Sequence, residues 1–217
     1  MAKQFAVSGQ HYLFDVQTFA SVVLANGGDE YEYALRDRTT QKVISDVAEG
    51  VSELGVLVET DETKKNLEET FDAAGVEFVE LVESSPRVAL SASHPLVNAE
   101  ELTLEQLEDY PYIYFEQEEG APVFFAEEAL ADKARKKGIA TTDRATLSEL
   151  IVALNGYTVT SGILVGISDG KGLSTVPLDT TVQLHLGYLK KKDATLSETA
   201  QKFVDKLQKN LKLYAKF

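Results

Sequence analysis

The stretch from Tyr31 to Val58 most constrains what this chain can fold into. Tyr31-Glu-Tyr-Ala-Leu-Arg36 alternates as a strand does, and a polar loop then ends in Thr39-Thr40. Val43, Ile44, Val47 and Val51 recur at helical spacing, and Leu54-Gly-Val-Leu-Val58 is an almost unbroken apolar run. Such a run suits a strand covered on both faces, so the stretch reads as a right-handed parallel strand–helix–strand unit. Its polar loop falls at the carboxyl end of a strand, the edge at which open α/β sheets take their ligands. There Thr39 or Thr40 can cap the helix, and the free amides beside them form a small positive site.

The flanking sequence extends this unit on both sides. Gln4-Phe-Ala-Val7 reads as a strand that Ser8-Gly9-Gln10 turns into a helix, with Tyr12, Val16, Phe19 and Val23 at helical spacing up to Gly27-Gly28. A helix from Asn66 to Ala74 and a strand from Val76 to Val82 follow, and Ser84-Ser85-Pro86 breaks the pattern. Arg87 to Ser91 opens a second set of elements, in which Thr103-Leu-Glu-Gln106 has capping-box spacing and starts a helix that stops before Tyr110-Pro111. Tyr112 to Glu116 is a strand, Gln117 to Ala121 its exit loop, and Pro122 to Lys137 a helix ended by Gly138. A further helix, Ala145 to Asn155, turns Leu147, Leu150, Ile151 and Leu154 inward, and Gly156 to Thr160 is a strand ending in Ser161-Gly162. Leu173 to Pro177 reads as an edge strand; Val182 to Leu189 alternates and returns to the first sheet; a helix from Ser197 to Leu213 buries Ala200, Phe203, Val204, Leu207 and Leu211. The expectation is an α/β fold of two Rossmann-like subdomains joined by a double crossing, residues 1–84 plus 181–217 forming the first and the inserted residues 85–180 the second, with a ligand cleft between them.

Composition narrows the function. With 217 residues, 44% hydrophobic and no cysteine, the chain can bury a core without disulfides. Met1-Ala-Lys-Gln-Phe5 lacks a secretory apolar region, and no apolar run approaches the ~18 residues of a membrane span, so a cytoplasmic location with no membrane contact is expected. A net charge of −14 opposes direct contact with nucleic acid and reads as acidic faces that keep the protein in solution; Lys190-Lys191-Lys192 and the last helix read as solvated faces. The three histidines are scattered and no metalloprotease, hydrolase or phosphate-loop motif occurs, so no catalytic residue, metal or cofactor is expected. His94 before a proline reads as a turn residue, and His185 as a packed or exposed strand residue. His11 at a helix start is either a ligand contact or an ordinarily solvated residue, imidazolium being disfavoured at a helix N-terminus. Asp143 and Arg144 read as a cleft ion pair or as a surface pair worth about 0–1 kcal/mol.

Several segments together carry a resemblance. Val43-Ile-Ser-Asp-Val-Ala-Glu-Gly-Val-Ser-Glu-Leu-Gly-Val-Leu57 after a threonine-bearing loop, Arg87-Val-Ala-Leu-Ser-Ala-Ser-His-Pro-Leu96, Leu102-Thr-Leu-Glu-Gln-Leu107 with Tyr110-Pro-Tyr-Ile113, and Leu147 to Gly162 stand in an order that resembles the C-terminal effector-binding domain of LysR-type transcriptional regulators. Ala153-Leu-Asn-Gly-Tyr-Thr158 departs from that family's usual Ala-Gly-rich late signature by carrying Asn155 and Tyr157. The resemblance implies the type II periplasmic-binding-protein fold and a bacterial, cytoplasmic regulator whose N-terminal helix-turn-helix is not in this chain. DNA would then be reached only through that missing part, and the regulatory domains would pair as a homodimer or higher assembly. Alternatives are a solute-binding receptor of a transport system and a dehydratase on the same fold, the latter lacking here the Thr-Arg-Phe motif of prephenate dehydratase.

The expected site gathers polar strand ends at one cleft: Ser8, Gly9 and Gln10; Arg38, Thr39 and Thr40; Glu116 and Gln117; and Thr160, Ser161 and Gly162. Ser8, Thr39 and Thr40 would hold the polar head of a small polar or carboxylate metabolite, or else serve only as helix caps. Phe115, Phe124 and Tyr157 would wall the remainder, Phe115 and Phe124 falling where the resembled family lines its effector pocket, although either phenylalanine taken alone reads better as an ordinary core aromatic.

Overall fold

A computed structural model describes residues 3–26, 28–163 and 172–214; Gly27, expected at the end of the first helix, lies outside them. The chain opens with β1 (Lys3–Gly9), α1 (Leu13–Asn26), β2 (Tyr31–Asp37), α2 (Thr40–Glu49), β3 (Leu54–Thr60), α3 (Lys64–Ala74) and β4 (Val76–Ser84). It continues through β5 (Arg87–Ser91), β6 (Tyr112–Phe115), β7 (Gly138–Thr141), α4 (Arg144–Leu154), β8 (Tyr157–Thr160) and β9 (Leu173–Pro177), and ends with β10 (Leu184–Lys191) and α5 (Glu198–Tyr214). Among the described residues the strands form two five-stranded sheets, ordered β2-β1-β3-β10-β4 and β7-β6-β8-β5-β9. The passages between them fall after β4 and before β10.

β3 is buried at all seven positions because both its edges and both its faces are covered. β1 pairs with it in parallel on one side and β10 antiparallel on the other. Leu57 joins Val43, Ile44 and Val47 of α2 and Leu67 and Phe71 of α3 on one face. Val56 and Val58 meet the opposite layer, where α5 contributes Phe203, Val204, Leu207 and Leu211. β2 and β3 flank β1, so the α2 crossover spans the strand between them.

Several helical expectations change. Val51 lies beyond the end of α2 and is exposed, and so is Leu154 of α4, expected inward. α1 turns Phe14, Thr18 and Val22 inward, with Asp15, whereas Val16, Phe19 and Val23 are half-buried. A buried Thr18 is tolerated because its hydroxyl donates to the Phe14 carbonyl at 2.7 Å and accepts from Asn210 of α5 at 3.0 Å. The capping box forms its reciprocal bonds, Thr103 N to Gln106 Oε1 at 2.8 Å and Gln106 N to Thr103 Oγ1 at 3.4 Å, but opens only a 3-10 turn at Glu105–Leu107. Pro122 to Lys137 is not a helix: a 3-10 turn at Val123–Phe125 gives way to bends and turns, Leu130 takes a φ of 59°, and Gly138 starts β7 rather than ending a helix. The helix-forming composition of this segment is overridden by side-chain partners elsewhere in the fold.

Gly187 sits where β10 meets an irregularity in β4, Leu186 opposing Val82 while Gly187 opposes Glu80. A β-carbon there would stand 2.3 Å from the Val79 carbonyl and 2.6 Å from the Phe78 ring. Gly187→Ala is expected to lower the unfolding free energy by about 1–3 kcal/mol through this overpacking, read as a lower midpoint in urea.

Candidate functional site

A cavity of about 90 Å³ lies between α4 and the second sheet. Phe115 of β6, Thr158 and Thr160 of β8 and Leu173 of β9 line it, α4 supplies Arg144, Leu147, Ser148 and Ile151 at i, i+3, i+4 and i+7, and His11 to Leu13 close it from the first sheet. The polar wall is Glu127 and Glu128.

Glu127 is held by the loop that follows β1. It accepts the His11 amide at Oε2 and pairs with His11 Nδ1 at Oε1, each at 2.9 Å, while its own carbonyl accepts the Tyr12 hydroxyl at 3.0 Å. The imidazole stacks on Phe115 with ring centres 4.1 Å apart. Burial works to lower the His11 pKa, but the hydrogen bond and charge of Glu127 outweigh it and the net shift is upward. Glu128 is different. Its Oε1 accepts the Phe115 amide at 2.8 Å, and Oε2 has no hydrogen-bond partner among the described residues. Burial, with the neighbouring Glu127 charge, pushes Glu128 up to about 8, so at neutral pH it carries a proton and can donate.

Arg144 ties the two sheets. Nη1 donates to the Tyr12 carbonyl at 2.9 Å and Nη2 to Asp37 Oδ2 at 2.7 Å, and Nη1 stands 3.9 Å from the fully buried Asp15. Burial drives the Asp15 pKa well up, the Arg144 charge opposing it. Asp143 and Arg144 do not pair with each other. Asp143 caps α4 instead, its carboxylate accepting from Thr146 N at 2.9 Å and Thr146 Oγ1 at 2.6 Å.

The strand ends expected to converge separate into three groups. Phe115 and Thr160 line the cavity. Beside it runs a network in which Gln10 accepts the Val58 amide at 2.8 Å and donates to Thr40 Oγ1 at 2.6 Å, Thr40 Oγ1 donates to the Phe125 carbonyl at 2.7 Å, and Gln117 accepts the Thr40 amide at 3.1 Å. Thr39 donates to Glu118 at 3.1 Å and makes no side-chain cap on α2, whose N-terminus is met by Gln117 instead. The remaining residues point elsewhere. Ser8 and Arg38 both turn to Asp46 of α2, at 2.8 and 3.0 Å, and Gly9 lies against Asp15. Glu116 is exposed, Phe124 packs edge-on to Phe125 beside α2 and α3, and Tyr157 is buried against Tyr112. Ser161 is buried and accepts at its carbonyl from Ser84, and Gly162 lies against Arg87. Tyr12, Glu127, Glu128 and Ser148 were not among the expected residues. The helical spacing of Arg144, Leu147, Ser148 and Ile151 is a signal for Ser148, whereas the glutamates sit in a segment whose composition imitates a helix.

Residues 30–212 match the family model of the LysR substrate binding domain. The structure is similar to that of HinK, a LysR family transcriptional regulator from Pseudomonas aeruginosa, at 20% identity and a TM-score of 0.66 over 98% of this chain and 72% of that one. It is similar to the C-terminal domain of a probable LysR family transcriptional regulator from Rhodococcus sp. RHA1, at 17% identity and a TM-score of 0.64 over 95% of this chain and 99% of that one. It is also similar to the effector binding domain of QuiR in complex with shikimate, at 12% identity and a TM-score of 0.64 over 99% of both chains. No curated protein matches by sequence. Among the described residues no helix is long and apolar enough to cross a membrane.

The raised carboxyl at Glu128 gives a pH signature. The folded chain keeps a proton up to about pH 8 that the unfolded chain releases near 4.5, so the folded state binds more protons between these values and stability falls as pH rises through them. Glu59, raised to about 7 by burial, acts in the same direction. The thermal midpoint is expected to drop between about pH 5 and about pH 8, and Glu128→Gln, which keeps a donor in place of the protonated oxygen, to flatten that drop. Equal slopes in the two proteins would show that Glu128 is ionised in the fold.

Proposed function

The chain belongs to the LysR substrate binding domain family, and from that premise we propose that it is the effector-sensing part of a longer cytoplasmic regulator, reading a small polar metabolite in the cavity beside His11. The observation that carries this reading is a cavity whose walls come from both sheets, so that a guest touches both at once. Residues 1–84 plus 181–217 would act as one regulatory subdomain and 85–180 as the other. A guest that favours one arrangement of the two shifts the population toward it, and a homodimer of such domains would pass the change to a helix-turn-helix outside this chain. The family's known members are regulators, and we read this domain as one without catalysis of its own. The solute-receptor reading is the weaker one, since the family match is to regulators.

The wall also suggests the kind of guest. Thr160, Ser148 and the protonated Glu128 offer hydrogen bonds, Phe115, Leu147, Ile151 and Leu173 offer apolar contact, and Arg144 is engaged by Tyr12 and Asp37. Hydroxyl- or amide-bearing molecules suit this set best, and a carboxylate would need His11 released from Glu127. Gln10, Thr40 and Gln117 stand behind the cavity as the network a larger guest would rearrange, whereas Ser8, Gly9, Arg38, Thr39, Glu116, Phe124, Tyr157, Ser161 and Gly162 would act on the fold around it.

A thermal-shift screen of metabolites against the domain identifies a ligand by a concentration-dependent rise in the melting temperature. Thr160→Val and Phe115→Leu are then expected to weaken that ligand about tenfold, while Ser8→Ala lowers stability and leaves affinity unchanged. The reverse pattern, affinity lost in Ser8→Ala and kept in Thr160→Val, places the site on the α2 side and refutes this assignment.

A further inference from the structure

A second cluster of polar groups lies away from the cavity, where β3 ends and β10 begins. His185 stands opposite Glu59 of β3 and opposite Glu83 of β4 in the two antiparallel registers. Directly opposed residues put their side chains on the same face, so Glu59, His185 and Glu83 form one row across neighbouring strands. Simple alternation would send Glu80, three residues before Glu83, to the other face. The register shift opposite Leu186 and Gly187 places an extra residue in β4 and returns Glu80 to this one.

The geometry within the row is that of a ligand set. His185 Nδ1 stands 3.1 Å from Glu80 Oε2 and 3.9 Å from Glu83 Oε1, and one ligand atom from each of the three residues lies within 4.8 Å of the others. Ligands about 2.0–2.1 Å from a tetrahedral ion stand about 3.3 Å apart, a spacing that falls between the two measured distances. The other ring nitrogen, Nε2, meets Asp61 Oδ1 at 2.8 Å, and Asp61 Oδ2 is fixed by the Gln183 amide at 3.0 Å. A metal-binding imidazole is oriented in this way, with one nitrogen toward the ion and the other donating to a carboxylate. A second observation is independent of the acidic cluster. Glu59, 1% exposed and on the same row, has no hydrogen-bond partner for either carboxylate oxygen among the described residues. A buried carboxyl left so lacks the partner that such groups ordinarily have, and Lys64 reaches the cluster only at 3.8 Å from Glu80.

We propose that His185, Glu80 and Glu83 bind a divalent transition-metal cation, Zn2+ or Mn2+, with Asp61 orienting the imidazole and Glu59 beside it on the same row. One imidazole with carboxylates selects such ions over Mg2+, which takes oxygen ligands and keeps its water. The ligands sit on β4 and β10, the strands that flank the two passages between the sheets, so the ion cross-links those strands at their hinge ends. Without an ion the ring pairs directly with Glu80 and Asp61, and the two arrangements are distinguishable.

The domain, freed of metal by chelation, is titrated with Zn2+, Mn2+ and Mg2+ by calorimetry near neutral pH. Saturable one-to-one binding of Zn2+ or Mn2+ is expected, with affinity about tenfold or more below that of the unaltered protein in His185→Gln and Glu83→Gln, and about 10–100-fold below it in Asp61→Asn. A measurement on the unaltered chain guards against variants that do not fold: Mn2+ is expected to broaden the amide NMR signals of Asp61, Glu83 and His185 before those of the remaining acidic surface. Absence of saturable binding, undiminished affinity in a folded His185→Gln, or broadening spread evenly over the protein overturns the site and leaves His185 paired with Asp61 and Glu80 alone.

Discussion

Total burial of β3 is the constraint on which the rest of this structure depends. A strand hidden on both faces and both edges requires a partner for every backbone group and an apolar layer above and below it. β1 and β10 meet the first demand, and the α2–α3 and α1–α5 layers the second. The cost of this arrangement is topological. β10 comes from the far end of the chain and enters the first sheet between β3 and β4 after the chain has run through the second sheet, which produces two passages between sheets. The double passage is therefore a consequence of covering one hydrophobic strand, and the cavity lies beside the place where the two sheets are brought together.

Polar groups as well as apolar ones hold the two sheets at that place, where Phe125 packs with residues of α2 and α3. Gln10 links the Val58 amide to Thr40, Thr40 continues to the Phe125 carbonyl, His11 meets Glu127, and Arg144 reaches Tyr12 and Asp37. Each of these bonds contributes only about 0.5–1.5 kcal/mol net, yet a buried partner left unmatched costs about 1–3. Contacts with that asymmetry favour a few well-defined arrangements and disfavour intermediate ones.

The parts of the fold legible in the sequence are those where one element imposes its own period. The apolar run at Leu54 to Val58 and the stripe Ala200, Phe203, Val204, Leu207, Leu211 mark β3 and α5 because burial there is set by secondary structure alone. Pro122 to Lys137 misleads because its alanines, glutamates and lysines favour a helix locally while Glu127 and Glu128 find partners in His11 and the Phe115 amide. Of the site, Phe115 and Thr160 are legible as strand ends. Ser8 is a strand end too, but its hydroxyl is taken by Asp46 and Ser52, a choice between two faces that spacing does not record. The row at His185 is hidden for a related reason, since Glu59, Glu83 and His185 become neighbours only through strand pairing across long stretches of chain.

The rim of the cavity bears on how a guest would be sensed. His11 and Glu127 both line the cavity and are bonded to each other, and Gln117 accepts the Thr40 amide beside them. A guest that outgrows the space enters only if these bonds are exchanged. Both join the second sheet to loops of the first, so on the proposed reading accommodating a guest would change the relation between the sheets by the same step that makes room for it. Affinity and conformational change would then be coupled, because the free energy that the guest would gain from Thr160, Ser148 and Phe115 would be reduced by the cost of the bonds it displaces.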